Sequence, residues 1–338
     1  MKLKVMLAVF VALAAIIIGV AVGSVYLPPG DILSIVAHRT WGAELPSQIR
    51  STSVSILWNL RLPRAILAFM VGAMLSVSGA VMQSLLRNPL ASSYTLGVSS
   101  GASLGACLVI LYGLSIPLAG ALTLPLTGFV FGLGSILLAM AFASRLDNRM
   151  ENNTIILVGM VFSLFVNAVT TLLSAISGEH LQQLFFWQMG SFSMKDWQTI
   201  WILLPIMILG GLLVTHYNRE LDIMTFGEEQ AQSMGVDLKR TKRILLVTAA
   251  AMTGSAVAFV GVIGFVDLVA PHIVRRLFGS AHRLMIAMTA VCGGTFMVIC
   301  DLAARTLASP RELPVGAVTA LIGAPFFAWI YFSRRATR

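Results

Sequence analysis

The chain has 338 residues, of which 57% are hydrophobic and only 11% are Asp, Glu, Lys or Arg. Soluble domains carry about 25% charged residues, so this composition excludes a water-soluble protein. It also excludes a disordered chain, whose signature is low hydrophobicity. Because a helix needs about 20 apolar residues to cross a bilayer, the sequence predicts an all-α, polytopic membrane protein with at most about ten spans.

The first apolar run covers residues 5–27 and follows two lysines, Lys2 and Lys4. A signal peptide cleaved near Ala21-Val22-Gly23 is one interpretation. The run has 23 residues, however, whereas the apolar region of a signal peptide usually has about 7–15. We therefore expect an uncleaved first membrane span.

Charges and turn residues divide the rest of the chain into further apolar runs. The stretch 244–274 is too long for one span and too short for two full ones. Gly261, Gly264 and Pro271 interrupt it, which favours a full helix followed by a short one. The predicted spans are residues 5–27, 65–86, 94–114, 118–143, 154–177, 197–217, 244–262, 264–278, 284–304 and 315–333.

The distribution of Lys and Arg tests this count, because cytoplasmic loops of membrane proteins retain an excess of both. Ten spans with the N-terminus inside place 16 of these residues on the inner side and 7 on the outer side. Nine spans would give 12 and 11. The bias predicts ten spans with both termini in the cytoplasm, and it explains the net charge of +9 without nucleic-acid binding.

Two polar segments interrupt what is otherwise one transmembrane domain over residues 1–338. The outer loop, residues 28–60, contains enough apolar residues for a short surface helix. The inner loop, residues 218–243, is the longest on its side. In it Glu228, Ala231 and Met234 recur at three-residue spacing, and Gly235 follows as a helix-ending residue. This pattern is typical either of a contact helix for a soluble partner or of an ordinary solvated loop.

Small residues predict close helix packing in the third span. Gly97, Gly101 and Gly105 follow one another at four-residue spacing, which lets two helix backbones approach closely in lipid. We interpret this stripe as packing within one subunit, and a subunit seam or a transport pathway remains the alternative.

Two acidic residues fall inside apolar runs. Asp301 precedes Arg305 by one helical turn, which allows an ion pair between them. Asp267 has no such partner nearby in the sequence. An intramembrane charge is a functional hypothesis by default, and proton coupling through Asp267 would indicate a secondary transporter.

The sequence contains no recognisable catalytic or metal-binding pattern. No lysine follows a glycine, so a phosphate-binding loop is absent and any ATP must be bound by another chain. The histidines are separated, and the three cysteines, Cys107, Cys292 and Cys300, lie inside apolar runs without metal-ligand spacing. We therefore expect neither an enzyme, nor a resident cofactor, nor a metal site.

Several blocks, in order from about residue 55 to 333, resemble the permease subunits of the iron-siderophore, haem and vitamin B12 ABC importers, the FecCD-type family. The blocks are RLPR at 61–64, SGAVMQ at 78–83, RNPLA at 87–91, LGVSSGA at 96–102, FGEEQA at 226–231, MGV at 234–236, GFVDLVAPH at 264–272, HR at 282–283, DLAAR at 301–305 and ELPVGAVTALIGAP at 312–325.

The resemblance implies the fold of a type II ABC importer permease, with ten helices per subunit and a transport pathway at the seam of a dimer, which we expect to be a homodimer. It further implies two ATP-binding cassette subunits that bind ATP and Mg, an extracytoplasmic binding protein, and a location in a bacterial or archaeal cytoplasmic membrane. The alternative is a secondary transporter driven by an ion gradient, which would need no ATPase subunit.

The resemblance also implies roles for individual residues. Arg61, Arg64 and Arg305 match arginines that dock acidic residues of the binding protein. The segment from Gly227 to Gly235, with Glu228, Glu229 and Ala231, matches the helices that couple to the ATPase. Asn152 and Asn153 stand where the family has small hydroxyl residues at the cytoplasmic gate, and Asp267 stands where it usually has glycine.

The cargo is left open by the sequence. Ferric siderophore is the default expectation for a permease of this family, and haem and cobalamin are the alternatives.

Overall fold

The computed structural model describes residues 1–23, 27–147, 150–177 and 180–333, and within these ranges it consists of helices and connecting loops without a strand. The helices are α1 Lys2–Ala21, α2 Pro29–Trp41, α3 Ser51–Ser55, α4 Leu62–Leu85, α5 Val98–Ile110, α6 Thr123–Leu146, α7 Asn152–Ser177, α8 Leu181–Gln188, α9 Trp197–His216, α10 Asn218–Met224, α11 Glu228–Ser233, α12 Leu238–Val260, α13 Val266–Phe278, α14 His282–Thr306 and α15 Val315–Ser333. A π-helical turn, Ile56–Arg61, joins α3 to α4, and a 3₁₀ turn, Gly120–Leu122, precedes α6.

The predicted all-helical membrane fold is confirmed. Within the described ranges, seven helical runs are long and apolar enough to cross a membrane, and Val98–Tyr112 and Val315–Ala328 are shorter apolar helices. Each of the ten predicted spans overlaps a helix. Ten crossings remain a prediction, because the helices at the third and eighth positions, α5 and α13, have only 13 residues each. The predicted surface helix of the outer loop is α2.

Some of the residues used in the Lys and Arg count and in the predicted first span lie outside the described residues. Arg149, Arg334, Arg335 and Arg338 of the inner-side count lie there, as do residues 24–26 of the predicted first span.

The helix α4 occupies the centre of the bundle. In the most apolar stretch of Ser51–Leu85, 89% of the residues are buried, compared with 22% in Lys2–Ala21 and in Asn152–Ser177. Glycines allow α4 and α14 to touch through their backbones, since a Cβ on Gly72 would overlap the carbonyl of Gly293. The Ser76 hydroxyl then donates to the Thr289 carbonyl at 2.9 Å. The α4/α14 contact therefore fixes where the ends of these two helices meet.

The glycines of the third span pack as a pair rather than as a stripe of three. A Cβ at Gly105 would lie 2.7 Å from the Thr127 carbonyl oxygen in α6, and one at Gly101 would overlap the Phe131 carbonyl. Gly97 differs from the expectation, because it precedes α5 with a φ of 96° and acts as the N-cap. The positive φ there ends the preceding turn, so the helix begins later than the apolar run predicts.

The interrupted stretch 244–278 folds as a long helix, α12, and a short one, α13. Gly261, with a φ of 79°, ends α12. Inside α13, Pro271 has no N–H to donate to the carbonyl of Asp267 one turn earlier. The Gln83 amide of α4 donates to that carbonyl instead, at 3.3 Å. The carbonyl that Pro271 leaves without a partner inside α13 thus accepts a hydrogen bond from a side chain of the central helix.

Gly79 lies against the same turn of α13, and a Cβ there would overlap the backbone of Asp267. Because backbone atoms cannot move aside easily, we expect Gly79→Ala to lower the free energy of unfolding by about 1–3 kcal/mol, the usual cost of overpacking. The measurement is the unfolding temperature of the detergent-solubilised protein.

Gly134→Ala in α6 is the matched control, since a Cβ at Gly134 meets no atom within 4 Å. We expect it to be neutral or to stabilise the helix by up to about 1 kcal/mol. Equal unfolding temperatures for the two variants would contradict the close approach of α4 to α13.

Candidate functional site

Three arginines expected to bind a partner lie together where the N-terminal end of α4 meets the C-terminal end of α14. Arg61 ends the π-helical turn, Arg64 lies in the first turn of α4, and Arg305 lies in the last turn of α14. All three line one cavity of about 570 Å³, together with Lys195 and Glu312. The α4/α14 packing therefore gathers four cationic side chains at one end of the bundle.

Arg64 is bound by two carboxylates of its own chain. Its Nε and Nη2 atoms donate to Asp301 Oδ1 at 3.0 and 2.9 Å. Its Nη1 atom donates to Glu312 Oε1 at 2.8 Å and Oε2 at 3.1 Å. The Asp301 side chain is 2% exposed and that of Glu312 is 42% exposed. The guanidinium thus has one buried partner and one partner that solvent can reach.

The ion pair that helix spacing predicts between Asp301 and Arg305 is confirmed, and the structure adds a closer partner, Arg64. Arg305 Nε lies 3.6 Å from Asp301 Oδ2, whereas Arg64 Nη2 lies 2.9 Å from Oδ1. The closer partner is 237 residues away in the chain, so helix spacing could not reveal it. Arg305 also donates from Nη2 to the carbonyl of Gly19.

Arg61 is oriented into the protein rather than outward. Its residue is 6% exposed, and Nη1 donates to the Ala21 carbonyl at 2.9 Å. This carbonyl belongs to the last turn of α1, where helix carbonyls have no partner within the helix. A guanidinium at this end also complements the helix dipole. The guanidinium of Arg61 is therefore held by its own chain, and its docking role stays a prediction.

Lys195, just before α9, is a residue of this cavity to which sequence reasoning assigned no role. In the described part of the chain its Nζ makes no hydrogen bond or ion pair. Burial lowers the pKa of Lys195, because desolvation disfavours the ammonium form. One signal in the sequence could have pointed to Lys195. Like Arg61 and Arg64, it falls on the predicted outer side, where the distribution of Lys and Arg disfavours positive residues.

At the opposite end of the bundle, the inner loop contains the short helix that its spacing predicts, α11. Ala231 faces inward and is 0% exposed. Gly235, with a φ of 86°, follows the helix, and the N–H of Val236 then donates to the Ala231 carbonyl at 3.0 Å. This is the hydrogen bond of a glycine-terminated helix end. Gly227 before the helix also has a positive φ, of 128°.

The segments expected to couple to an ATPase and to form the gate lie on opposite walls of one groove. The groove has a volume of about 980 Å³ and is lined by Leu86, Arg87, Glu151, Asn152, Asn153 and residues 226–230 and 232. Asn152 and Asn153 begin α7, and Glu228 and Glu229 begin α11. Asn152 Oδ1 is buried and has no hydrogen-bond partner in the described part of the chain.

Asp267 has a partner that its sequence neighbourhood does not show. The Ser92 hydroxyl donates to Asp267 Oδ2 at 2.5 Å. Ser92 lies in the loop between α4 and α5, 175 residues away. The carboxylate is 3% exposed and is held as part of the bundle, so the geometry favours a structural contact.

A chain of hydrogen bonds extends from this region to the inner loop. Its links are Gln83 to Arg275 at 2.5 Å, Arg275 to Ser84 at 3.3 Å, Ser84 to His282 at 2.8 Å, and His282 to Asp222 at 2.6 Å. These residues connect α4, α13, α14 and α10. Such networks provide partners for polar groups that would otherwise be costly to bury.

Comparison with known proteins identifies relatives along nearly the whole chain. The ABC transporter permease protein YvrB of Bacillus subtilis is 40% identical over 316 residues, covering 94% of this chain and 89% of that one. The hemin transport permease HmuU of Yersinia pestis is 38% identical, with 83% and 85% covered. The cobalamin import permease BtuC of Halobacterium salinarum is 37% identical, with 87% and 78% covered.

A solved structure also matches. It is an inward-facing metal-chelate type ABC transporter with a TM-score of 0.85 and 28% identity, and the match covers 98% of this chain and 99% of that one. The FecCD transport family itself matches residues 11–333. The chain therefore belongs to the FecCD transport family, whose members are multi-pass membrane permeases.

Proposed function

We propose that this chain is the permease subunit of an ATP-driven importer that moves a bulky metal chelate into the cytoplasm by alternating access. The observation that carries the proposal is the family match over residues 11–333. Ferric siderophore is the first candidate cargo, and haem and cobalamin are the alternatives. The names of the relatives, which include hemin, cobalamin and ferric dicitrate permeases, support this substrate class.

The energy source in this proposal lies on other chains. The sequence has no phosphate-binding loop, so we assign ATP and Mg binding to two ATP-binding cassette subunits and no catalysis to this chain. They would contact the segment Gly227–Gly235, whose helix α11 has an exposed Glu229, a half-buried Glu228 and a buried Ala231. The charge bias supports a cytoplasmic position for this loop and for both termini, in a bacterial or archaeal cytoplasmic membrane.

A second permease copy would complete the pathway, and the outer half of α7 supports this. Asn167 and Thr171 are exposed on this helix next to exposed Leu164 and Phe165. Polar side chains at membrane depth normally face a protein interior or a water-filled cavity rather than lipid. Asn167 and Thr171 also line a cavity of about 530 Å³ with Gln182 and Gln188. We assign this face to the seam between two copies.

The cavity lined by Arg61, Arg64 and Arg305 supports docking of an acidic binding protein. In this proposal Arg64 exchanges one of its internal carboxylate partners for a carboxylate of the binding protein. An incoming carboxylate would replace Glu312, which is exposed, while buried Asp301 keeps the guanidinium in place. A two-point Arg–carboxylate contact is strong and directional. Arg305 and Lys195 would add positive charge to the same surface.

The exchange at Arg64 predicts that Glu312→Ala strengthens binding-protein docking, because it removes the competing internal carboxylate. We expect an increase in affinity of a few fold, roughly what an exposed ion pair is worth. The measurement is binding of the cognate binding protein to the nanodisc-reconstituted permease.

Glu44→Ala is the matched control, since it removes an exposed glutamate from the outer loop at a position that does not line the cavity. Weaker docking after Glu312→Ala would mean that Glu312 positions Arg64 for docking rather than competing for it. An equal gain in docking affinity from both variants would show that the effect comes from the change in net charge alone.

The free ammonium of Lys195 predicts a second, independent effect. Lys195→Glu should weaken docking about tenfold at low salt, and less at high salt, because a charge at the rim of an interface acts through screened attraction. Folding should suffer little, since Lys195 makes no hydrogen bond or ion pair in the described residues and only its neighbour Asp196 attracts it through space. Arg39→Glu, an exposed charge reversal in α2 outside the cavity, is the control. Equal losses in the two variants would remove Lys195 from the docking surface.

The proposed function itself is tested by co-purification and by uptake. We expect the chain to purify with ATP-binding cassette subunits. In vesicles, the complex should take up one of four probes, namely a ferric hydroxamate, a ferric catecholate, hemin or cyanocobalamin, only with ATP and the binding protein. Accumulation by the chain alone, driven by a proton or sodium gradient, would contradict the proposal and support a secondary transporter.

A further inference from the structure

A lysine at the start of α12 is fully buried, although it carries a charge and lies near the inner loop. The whole of Lys242 is 0% exposed. Its neighbours along the chain, Arg243 and Lys239, are exposed. Lysine is almost never fully buried unless it is paired. The position therefore requires partners inside the protein.

Lys242 has two partners, and they belong to different segments. Its Nζ atom donates to the Met150 carbonyl at 2.8 Å and to Glu228 Oε1 at 2.8 Å. Both distances are those of short, charge-assisted hydrogen bonds. Met150 lies two residues before the start of α7, and Glu228 is the first residue of α11. The ammonium thus bridges two residues next to helix N-termini, Met150 and Glu228, that are 78 residues apart in numbering.

The Met150 end of this bridge is firmly held. Its residue is 2% exposed, and its side chain belongs to the main hydrophobic core. Its backbone has a φ of 52°, and its N–H donates to the Asp147 carbonyl at 3.1 Å. A displacement of this carbonyl would therefore move the backbone of Met150 and Glu151, which leads into Asn152 and Asn153.

The Glu228 end lies on the segment expected to contact the ATPase. Glu228 lines the groove opposite Glu151, Asn152 and Asn153, so Lys242 joins the two walls of that groove. Separating the ammonium from either partner would leave a charge or a polar group buried without compensation, which is costly. The two walls should consequently move together.

We propose that Lys242 is the positioning residue that transmits displacement of α11 to the N-terminus of α7. This inference rests on the proposed function, because it assumes that ATPase subunits push or pull on α11. Lys242 itself touches neither cargo nor nucleotide. It acts through Glu228 on one side and the Met150 carbonyl on the other.

The experiment measures the distance between spin labels at Glu151, next to the start of α7, and Ser233, the last residue of α11; both positions are exposed. It uses the complete transporter with its ATPase subunits in nanodiscs, nucleotide-free and with ATP trapped. In the unaltered chain we expect one narrow distance distribution that is the same in both states. In Lys242→Met we expect it to broaden and to shift between states by about 2 Å or more, the scale of helix shifts in switching proteins.

Three further variants separate transmission from mere stability. Lys242→Arg keeps a charged donor and should restore the state-independent distance. Glu228→Ala cuts the bridge at a partly exposed residue, and it gives the decisive result if Lys242→Met does not assemble. Lys239→Met removes an exposed lysine from the same helix turn and serves as the reference for lost charge.

Two outcomes would overturn the inference: a distance that changes with nucleotide in the unaltered chain, or a distance that stays constant in both Lys242→Met and Glu228→Ala. A shift in Lys239→Met as large as in Lys242→Met would also overturn it. Failure of the proposed function is distinguishable, because the unaltered chain would then not assemble with ATPase subunits.

Discussion

A bilayer offers no hydrogen-bond partner to a charge or a free backbone group, so each one must be matched inside the protein. This constraint explains much of the bundle. Asp301 is matched by Arg64, the carbonyl that Pro271 leaves free is matched by Gln83, and Lys242 is matched by Glu228 and Met150. Each match joins segments that are distant in sequence, and together they fix how the helices are placed.

The two ends of the molecule use this constraint differently. At one end, Arg64 keeps a buried partner in Asp301 and an exposed one in Glu312, so part of the pairing is open to exchange. At the end that carries α11, the ammonium of Lys242 is itself enclosed, and its partner Glu228 is 28% exposed. An exchangeable ion pair suits a surface that a partner visits and leaves, whereas an enclosed one suits a connection that should persist.

The sequence predicted the membrane fold, the positions of the helices and the short α11, because these follow from local patterns of apolar residues and glycines. The family resemblance brought Arg61, Arg64 and Arg305 to attention, and the structure places them in one cavity. The pairing of Asp301 with Arg305 follows from helix spacing and was predicted. The second partner of Asp301, Arg64, and the partner of Asp267, Ser92, could not be predicted, since they depend on contacts across 237 and 175 residues. Gly97 was misjudged because spacing alone does not distinguish a packing glycine from one required by a positive φ.

The last turn of α1 contributes to the cationic cavity, although most of this helix is not buried against the rest of the protein. Only 22% of the residues in its most apolar stretch are buried, so by packing alone it looks like a simple membrane anchor. Yet its last turn supplies the carbonyls of Gly19 and Ala21 that hold Arg305 and Arg61. Tilting or sliding of this first helix in the lipid would therefore reshape the cationic cavity, which makes bilayer thickness a physical variable for the arginines at this end of the bundle.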